Sequence, residues 1–148
     1  MNTILDNKIT LDRGTHRYSL LDNPDIVFTS VTTYLDYFFE GFDGEKVAKK
    51  LIANVPKYKG RTVESLLEEW DESARYGTMV HDEIENWIKN SVEPNDQKSI
   101  NGKNWLQKYR TKSGIDFLSE VIIYSKELKI AGTIDILAKD NNTGEYII

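Results

Sequence analysis

The chain has 148 residues, of which 39% are hydrophobic, 29% charged and 11% aromatic, and this composition predicts a single globular domain. The aromatic content argues against intrinsic disorder, because it supplies apolar area that offsets chain entropy. The absence of cysteine excludes disulfides, thiolate metal sites and iron–sulfur clusters. The net charge of -5 argues against a protein that coats nucleic acid non-specifically. Because the chain also lacks a membrane-length apolar run and a signal-peptide core, we expect a cytoplasmic protein.

The first third of the chain predicts short strands followed by helices. Apolar and polar residues alternate over 9–11 and 16–20, around a turn at 12–15, which is typical of an N-terminal β-hairpin. A short strand is predicted over 26–28. Ser30 is placed to cap a helix over 31–39, and Asp43 to cap a helix over 44–55 that Pro56 ends.

The middle of the chain is predicted to be helical. Thr62 can cap a helix that carries Val63, Leu66, Leu67 and Trp70 on one face. Gly77 predicts a bend or a close approach, after which a helical pattern resumes over 78–89. A further helix is predicted over 96–112, and its buried side chains are expected to be Ile100, Trp105, Leu106 and Tyr109.

The last third predicts strands. Residues 117–124 and 128–138 are rich in Ile and Val, and a turn at 140–144 precedes a third strand over 145–148. Because an apolar strand that stops at Ile148 would be left half-made, we expect this chain to be a fragment whose strand continues in a longer protein. The alternative is a natural C-terminus docked in a sheet. An unpaired final strand could also drive dimerisation through edge pairing.

Four residues are candidates for a metal site. His81 and Glu85 are one helical turn apart on the same face, whereas Glu120 and Asp135 lie in two apolar strands. Taken singly, each pattern is more typical of an ordinary surface residue. Carboxylates on adjacent strands with a histidine nearby are different, because such a group binds a hard divalent cation and repels itself without one. Gly132 leaves room for a backbone or a phosphate to approach.

Other catalytic motifs are absent from the sequence. A zinc-protease helix would need a second histidine after His81, and no nucleophile elbow, Walker loop or dinucleotide-binding glycine motif occurs. Composition leaves Ser-His-Asp catalysis open, although no serine has an informative context.

Charge alternates along the helical region. Residues 46–61 carry six basic residues and no acid, whereas residues 64–72 carry five acids and no base. This pattern is most often two solvated helix faces. It would also suit a basic arm that contacts a polyanion beside an acidic, metal-holding centre. The basic residues are Lys46, Lys49, Lys50, Lys57, Lys59 and Arg61.

The order of these motifs resembles the RecB-like branch of the PD-(D/E)XK nucleases. The chain carries Gly-Thr-x-x-His-x-x-x-Glu over 77–85, then Glu120, then Gly-x-x-Asp over 132–135. His16-Arg17-Tyr18 and Ser30-Val31-Thr32 are similar to the opening of phage-encoded exonucleases of this branch. The next strand of the family carries Asp/Glu-x-Lys, and no such pattern follows Asp135 in this sequence.

The resemblance implies an α/β, restriction-endonuclease-like fold, with a mixed central sheet flanked by helices, that forms a single nuclease-like domain over 1–148. It implies a Mg²⁺- or Mn²⁺-dependent deoxyribonuclease, a hydrolase in which Asp135 and His81 hold the metal. The imidazole would favour Mn²⁺. Glu85 would hold a second metal or orient His81, and Glu120 would be a ligand or a supporting residue.

The resemblance also has implications for partners. They are single- or double-stranded DNA, held by the basic residues of 46–61, and a helicase or recombination protein in a bacterial or phage-infected cell. Without the final motif we expect the chain to be inactive as it stands. The alternative function is a non-catalytic DNA-binding or assembly module that keeps the fold.

Overall fold

The computed structural model describes residues 8–147, the side chain of Lys112 excepted. The mixed α/β class predicted from the sequence is confirmed. In chain order the elements are β1 (Ile9–Asp12), β2 (Arg17–Leu20), β3 (Thr29–Ser30), α1 (Val31–Asp36), α2 (Gly44–Asn54), a 3₁₀ turn (Pro56–Tyr58), α3 (Val63–Asn90), α4 (Gln97–Ser113), β4 (Ile115–Ser125), β5 (Ile130–Asp140) and β6 (Tyr146–Ile147).

The strands form two sheets. β1 and β2 make the predicted antiparallel hairpin, and its turn is held by the Asp12 carboxylate, which accepts hydrogen bonds from the backbone N–H groups of Gly14 (2.8 Å) and Thr15 (3.2 Å). The main sheet is mixed. β5 lies at its centre, parallel to β3 and antiparallel to β4 and β6.

Each face of the β4–β5 pair contacts a different layer. Alternate side chains point to opposite faces of a sheet. On one face Phe117 packs with Trp87 and Leu106 of the long helices α3 and α4. On the other face Ala131, with Ile122 and Tyr124 beside it, packs against the hairpin, which contributes the buried Ile9, Tyr18 and Leu20. The long helices therefore cover one face of the β4–β5 pair near one end, and the hairpin covers the opposite face near the other end.

α3 is one uninterrupted helix of 28 residues, so the predicted bend at Gly77 is wrong. It begins at the predicted cap, where the Thr62 hydroxyl accepts a hydrogen bond from the Ser65 N–H (3.1 Å). Residues 71–78 are exposed on every side, and a side chain at Gly77 would meet nothing within 4 Å. A glycine weakens a helix by its entropy but keeps the N–H and C=O that continue the ladder.

Two element boundaries and one burial prediction differ from what the sequence predicts. The helix predicted over 31–39 ends at Asp36, and the exposed aromatic residues that follow form turns. The strand predicted over 26–28 lies at Thr29–Ser30, because pairing with β5 occurs there. In α4, Trp105 and Tyr109 are exposed at 56% and 41%, so the prediction that they are buried is wrong, and Leu106 alone is deeply buried among the four.

Gly132 also has a different role from the predicted one. A Cβ there would lie 2.8 Å from Cγ2 of Val31, so the missing side chain makes room for α1 and not for a phosphate. β4 and β5 extend beyond the predicted 117–124 and 128–138, and β6 covers Tyr146–Ile147 of the predicted 145–148, with Ile148 outside the described residues. Among the helices of residues 8–147, none combines the length and apolarity that a membrane crossing needs.

Replacement by alanine should change the free energy of unfolding differently at the two glycines of the long helices. Gly77→Ala should raise the free energy of unfolding by about 0.5–1 kcal/mol, because the added methyl group meets open space. Gly102→Ala in α4 should gain less or lose stability, since its Cβ would lie 2.7 Å from Cδ1 of Ile84. Urea unfolding of both variants measures the difference, and equal gains would contradict this packing.

Acid should weaken the junction between α3 and α4 through Glu83. Its carboxylate accepts hydrogen bonds from the Asn95 and Asp96 N–H groups (3.2 and 3.0 Å). Its pKa is lowered, chiefly by the side chain of Ser99 and then by these backbone groups. A lowered folded-state pKa means that the stabilisation is complete above the ordinary glutamate pKa of about 4.3 and is lost as the pH falls through the lower value.

We therefore expect Glu83→Gln to flatten the loss of stability below about pH 4.3, measured by urea unfolding across a pH series. Glu127→Gln is the matched control, because Glu127 is exposed and forms no hydrogen bond or ion pair with residues 8–147. If the stability of Glu83→Gln falls with pH as steeply as that of the parent chain, the pKa of this carboxylate does not differ between the folded and unfolded states.

Candidate metal centre

Three elements bring the predicted site residues together. α3 carries His81 and Glu85 one turn apart, as their spacing predicts. β4 and β5 carry Glu120 and Asp135, which face each other between the paired residues Ser119–Ile136 and Val121–Ile134. Directly opposite residues of an antiparallel pair have Cβ atoms about 4.5–5.5 Å apart. The register therefore places these two acidic residues opposite each other.

The His81 side chain lies between these carboxylates. Its Nε2 is 3.5 Å from Oε1 of Glu120 and 3.7 Å from Oδ1 of Asp135, while its Nδ1 is 3.6 Å from Oδ1 of Asp82. Ligand atoms of His81, Glu85 and Glu120 all lie within 4.8 Å of one another. The Glu120 side chain is 16% exposed and that of Asp135 is 73% exposed, so Asp135 lies at the open rim of the group.

Glu120 has a backbone conformation that L-residues rarely adopt. Its φ is +55°, in the left-handed region, in the middle of β4. This conformation costs about 1–2 kcal/mol for a residue with a Cβ, and such strain clusters at functional sites. The strand thus carries a local cost at the one position where it supplies a carboxylate to the group.

Glu85 is held by two cations. Its Oε1 lies 2.5 Å from Nζ of Lys89, one turn along α3, and 3.3 Å from Nη2 of Arg13 in the hairpin turn. The hydrogen bond from Lys89, together with the charges of Lys89 and Arg13, lowers the pKa of Glu85 against the opposing effect of its burial. Nη2 of Arg13 is also 3.1 Å from Oε2 of Glu120, so one guanidinium nitrogen bridges both acids.

The donor set suits a divalent cation. At metal–ligand distances of about 2.1 Å, octahedral ligand atoms are about 3 Å apart when adjacent and about 4.2 Å apart when opposite. The distances of 3.5 and 3.7 Å from His81 to Glu120 and Asp135 fall in this range. One imidazole nitrogen with carboxylate oxygens is a set that Mn²⁺ accepts and that Mg²⁺ accepts less readily. His81 and Glu120 could therefore hold the ion, with either Asp135 at the rim or Glu85 on α3 as a further ligand.

The predicted DNA-contacting residues lie apart from this group along the chain, on α2, the 3₁₀ turn and the loop before α3. Lys49 is paired with Glu45 (2.9 Å) and Arg61 with Glu69, whereas the exposed Lys46, Lys50 and Lys59 form no ion pair within residues 8–147. Lys57 lies over the ring of Tyr58. No ion pair links any of the six to the described residues of the candidate centre.

Two residues of the centre were not among the sequence candidates. Lys89 could have been found, because it lies four residues after Glu85 on a predicted helix. Arg13 could not have been found. It is 72 residues from Glu85 in the sequence, and the turn that carries it does not indicate which residues the hairpin tip will contact.

Comparison of the chain with protein-family models, with curated proteins and with solved structures gave no match. The functional interpretation of the centre therefore depends on its residues and their geometry.

Glycine at position 120 should relieve the backbone strain. We expect Glu120→Gly to be about 1 kcal/mol more stable than Glu120→Gln, because both lose the carboxylate contacts and only glycine adopts a positive φ without cost. Urea unfolding measures the difference. As a control, Glu127→Gly should be less stable than Glu127→Gln, since Glu127 has no positive φ. Equal stability of the two variants at position 120 would mean that the strand is unstrained there.

Proposed function

We propose that this chain is the nuclease domain of a RecB-like PD-(D/E)XK protein with a restriction-endonuclease-like fold, which hydrolyses DNA phosphodiester bonds with Mn²⁺ or Mg²⁺. The observation that supports the proposal most directly is the position of His81, whose Nε2 lies 3.5 Å from Glu120 and 3.7 Å from Asp135. These residues come from one helix and two strands, in the order of the family motifs.

The mixed sheet supports the same proposal at a coarser level. An antiparallel β4–β5 pair carries the acidic residues, a further strand lies beside β5, and the helix with the histidine packs on β4 and β5 through Trp87 and its neighbours Ile84 and Ile88. Residue by residue, Glu120 and Asp135 are the carboxylates of the first and second of these strands.

The proposed roles follow from the chemistry of each group. His81, Glu120 and Asp135 would hold the cation, which when bound would supply an activated water and neutralise charge that develops on the phosphate. The exposed rim position of Asp135 leaves the site open to a large substrate. The free lysines of α2 and of the following turns would contact the DNA backbone as point charges. Within the proposal, the protein acts in the cytoplasm of a bacterial or phage-infected cell, alongside a helicase or recombination protein.

The proposal is tested first by metal binding. We expect the chain to bind Mn²⁺, followed by the loss of the free-ion signal in electron paramagnetic resonance, and Asp135→Asn to raise the Kd by about tenfold or more. Asp71→Asn is the control, because Asp71 is an exposed acid of α3 without a partner in the described part of the chain. An unchanged Kd in Asp135→Asn would reject the metal site.

Cleavage of DNA decides between enzyme and binding module. The chain, and the complete product of its reading frame, should be incubated with labelled DNA and Mn²⁺. Cleavage that Asp135→Asn abolishes supports the nuclease. Binding of Mn²⁺ and DNA by both forms without cleavage would instead favour the non-catalytic module.

A further inference from the structure

Arg13 is placed at the candidate centre by a fixed turn. The Asp12 carboxylate closes the turn through the Gly14 and Thr15 N–H groups, and the strands on either side pair from Asp12–Arg17 to Ile9–Leu20. The hairpin is anchored to the main sheet by Tyr18, which is 3% exposed and whose hydroxyl lies 3.0 Å from that of Thr133. The tip of the hairpin is therefore held over β4 and β5, beside Glu120.

Most of the Arg13 guanidinium is unused. A guanidinium carries five N–H donors, spread over Nε and two terminal nitrogens. Among residues 8–147 only Nη2 has partners, namely Glu85 and Glu120, and the side chain is 64% exposed. The remaining donors are open to solvent at the mouth of the group that would hold the cation.

Glu85 is engaged differently from the other acids. It is bound to Lys89 from its own helix and to Arg13 from the hairpin, and its side chain is 15% exposed. Glu120 and Asp135, in contrast, both lie within 3.7 Å of Nε2 of His81. A cation held by those two acids and His81 would take over the charge that Arg13 now supplies to Glu120, while Glu85 would still hold the guanidinium nearby.

We propose that Arg13 binds a phosphate oxygen of the nucleic acid backbone, and that Glu85 is a positioning residue for Arg13 and not a metal ligand. This inference rests on the proposed function, because it needs a phosphodiester substrate at the centre. Arginine suits the role, since its planar fork donates two parallel hydrogen bonds to a phosphate and it remains charged beside a metal. Lys89 contacts the same Glu85 oxygen, Oε1, as Arg13 does, and this contact limits the positions that the carboxylate can take.

The first experiment measures binding of a short fluorescein-labelled oligodeoxynucleotide by anisotropy, with Mn²⁺ present and with the oligonucleotide shown to be intact afterwards. Arg13→Ala should weaken binding by about tenfold and reduce the slope of log affinity against log salt by about one. Arg13→Lys should lie between the two. Arg17→Ala is the matched control, because Arg17 is an exposed arginine of the same hairpin without a partner in the described residues.

The second experiment tests Glu85. Glu85→Gln should weaken oligonucleotide binding in the parent chain but cause little further loss in the Arg13→Ala background, because a positioning residue acts only through the group it positions. Its Kd for Mn²⁺ should stay within about threefold of the parent value, whereas the loss of a group that supports a metal site costs about tenfold or more. Circular dichroism confirms that each variant is folded.

Two results would overturn the inference. If Arg13→Ala binds the oligonucleotide as Arg17→Ala does, Arg13 is only an internal counter-ion of Glu85 and Glu120. If Glu85→Gln raises the Kd for Mn²⁺ as much as Asp135→Asn does, Glu85 is a ligand. A failure of the proposed function is distinguishable, because it would appear as Mn²⁺ binding that Asp135→Asn leaves unchanged, whatever the two arginine variants do.

Discussion

The antiparallel pairing of β4 with β5 is the constraint on which the rest of the structure depends. Its register runs without an inserted residue from Ile115–Asp140 to Ser125–Ile130. Because a slip of one residue would exchange the two faces of a strand, this register fixes three things at once. It turns Phe117 toward the long helices and Ala131 toward the hairpin, and it sets Glu120 opposite Asp135. The two cores and the acidic group are thus consequences of one ladder.

That arrangement is unfavourable for stability where it forms the acidic group. Like charges directly opposite each other on a sheet are destabilising, and the positive φ of Glu120 adds backbone strain. The surrounding layers each supply a counter-charge or a hydrogen-bond partner: α3 places His81 beside both acids and Lys89 beside Glu85, and the hairpin places Arg13 between Glu85 and Glu120. A fold that needed only stability would gain by apolar residues here. The concentration of acid, imidazole and strain at one place is more typical of a site that binds something.

The sequence predicted what is local and periodic. The caps Ser30, Asp43 and Thr62, the hairpin and the Ile- and Val-rich strands depend on neighbours within a few residues, and the structure has them. It failed where tertiary contacts decide. Gly77 lies in an exposed stretch of helix with nothing to bend toward, Gly132 makes room for Val31, and Trp105 remains at the surface because α4 buries Leu106 instead. The prediction that His81, Glu120 and Asp135 lie together depended on the order of the motifs along the chain. No pattern around any one of these residues predicts it.

The sequence correctly predicts that Glu85 lies beside His81, but this proximity does not determine the role of Glu85. Helical spacing places it beside His81, and on that spacing alone it could hold a metal or orient the imidazole. The hairpin favours a different role, because Arg13 contacts the same Glu85 oxygen, Oε1, that Lys89 contacts. An oxygen shared by two cations is a poor ligand for a third. Glu120 uses separate oxygens for Arg13 and His81, so it can exchange one partner while keeping the other. The proposed division of the acids into ligands and a positioning residue therefore depends on a tertiary contact of Arg13, a residue whose local sequence predicts only a turn.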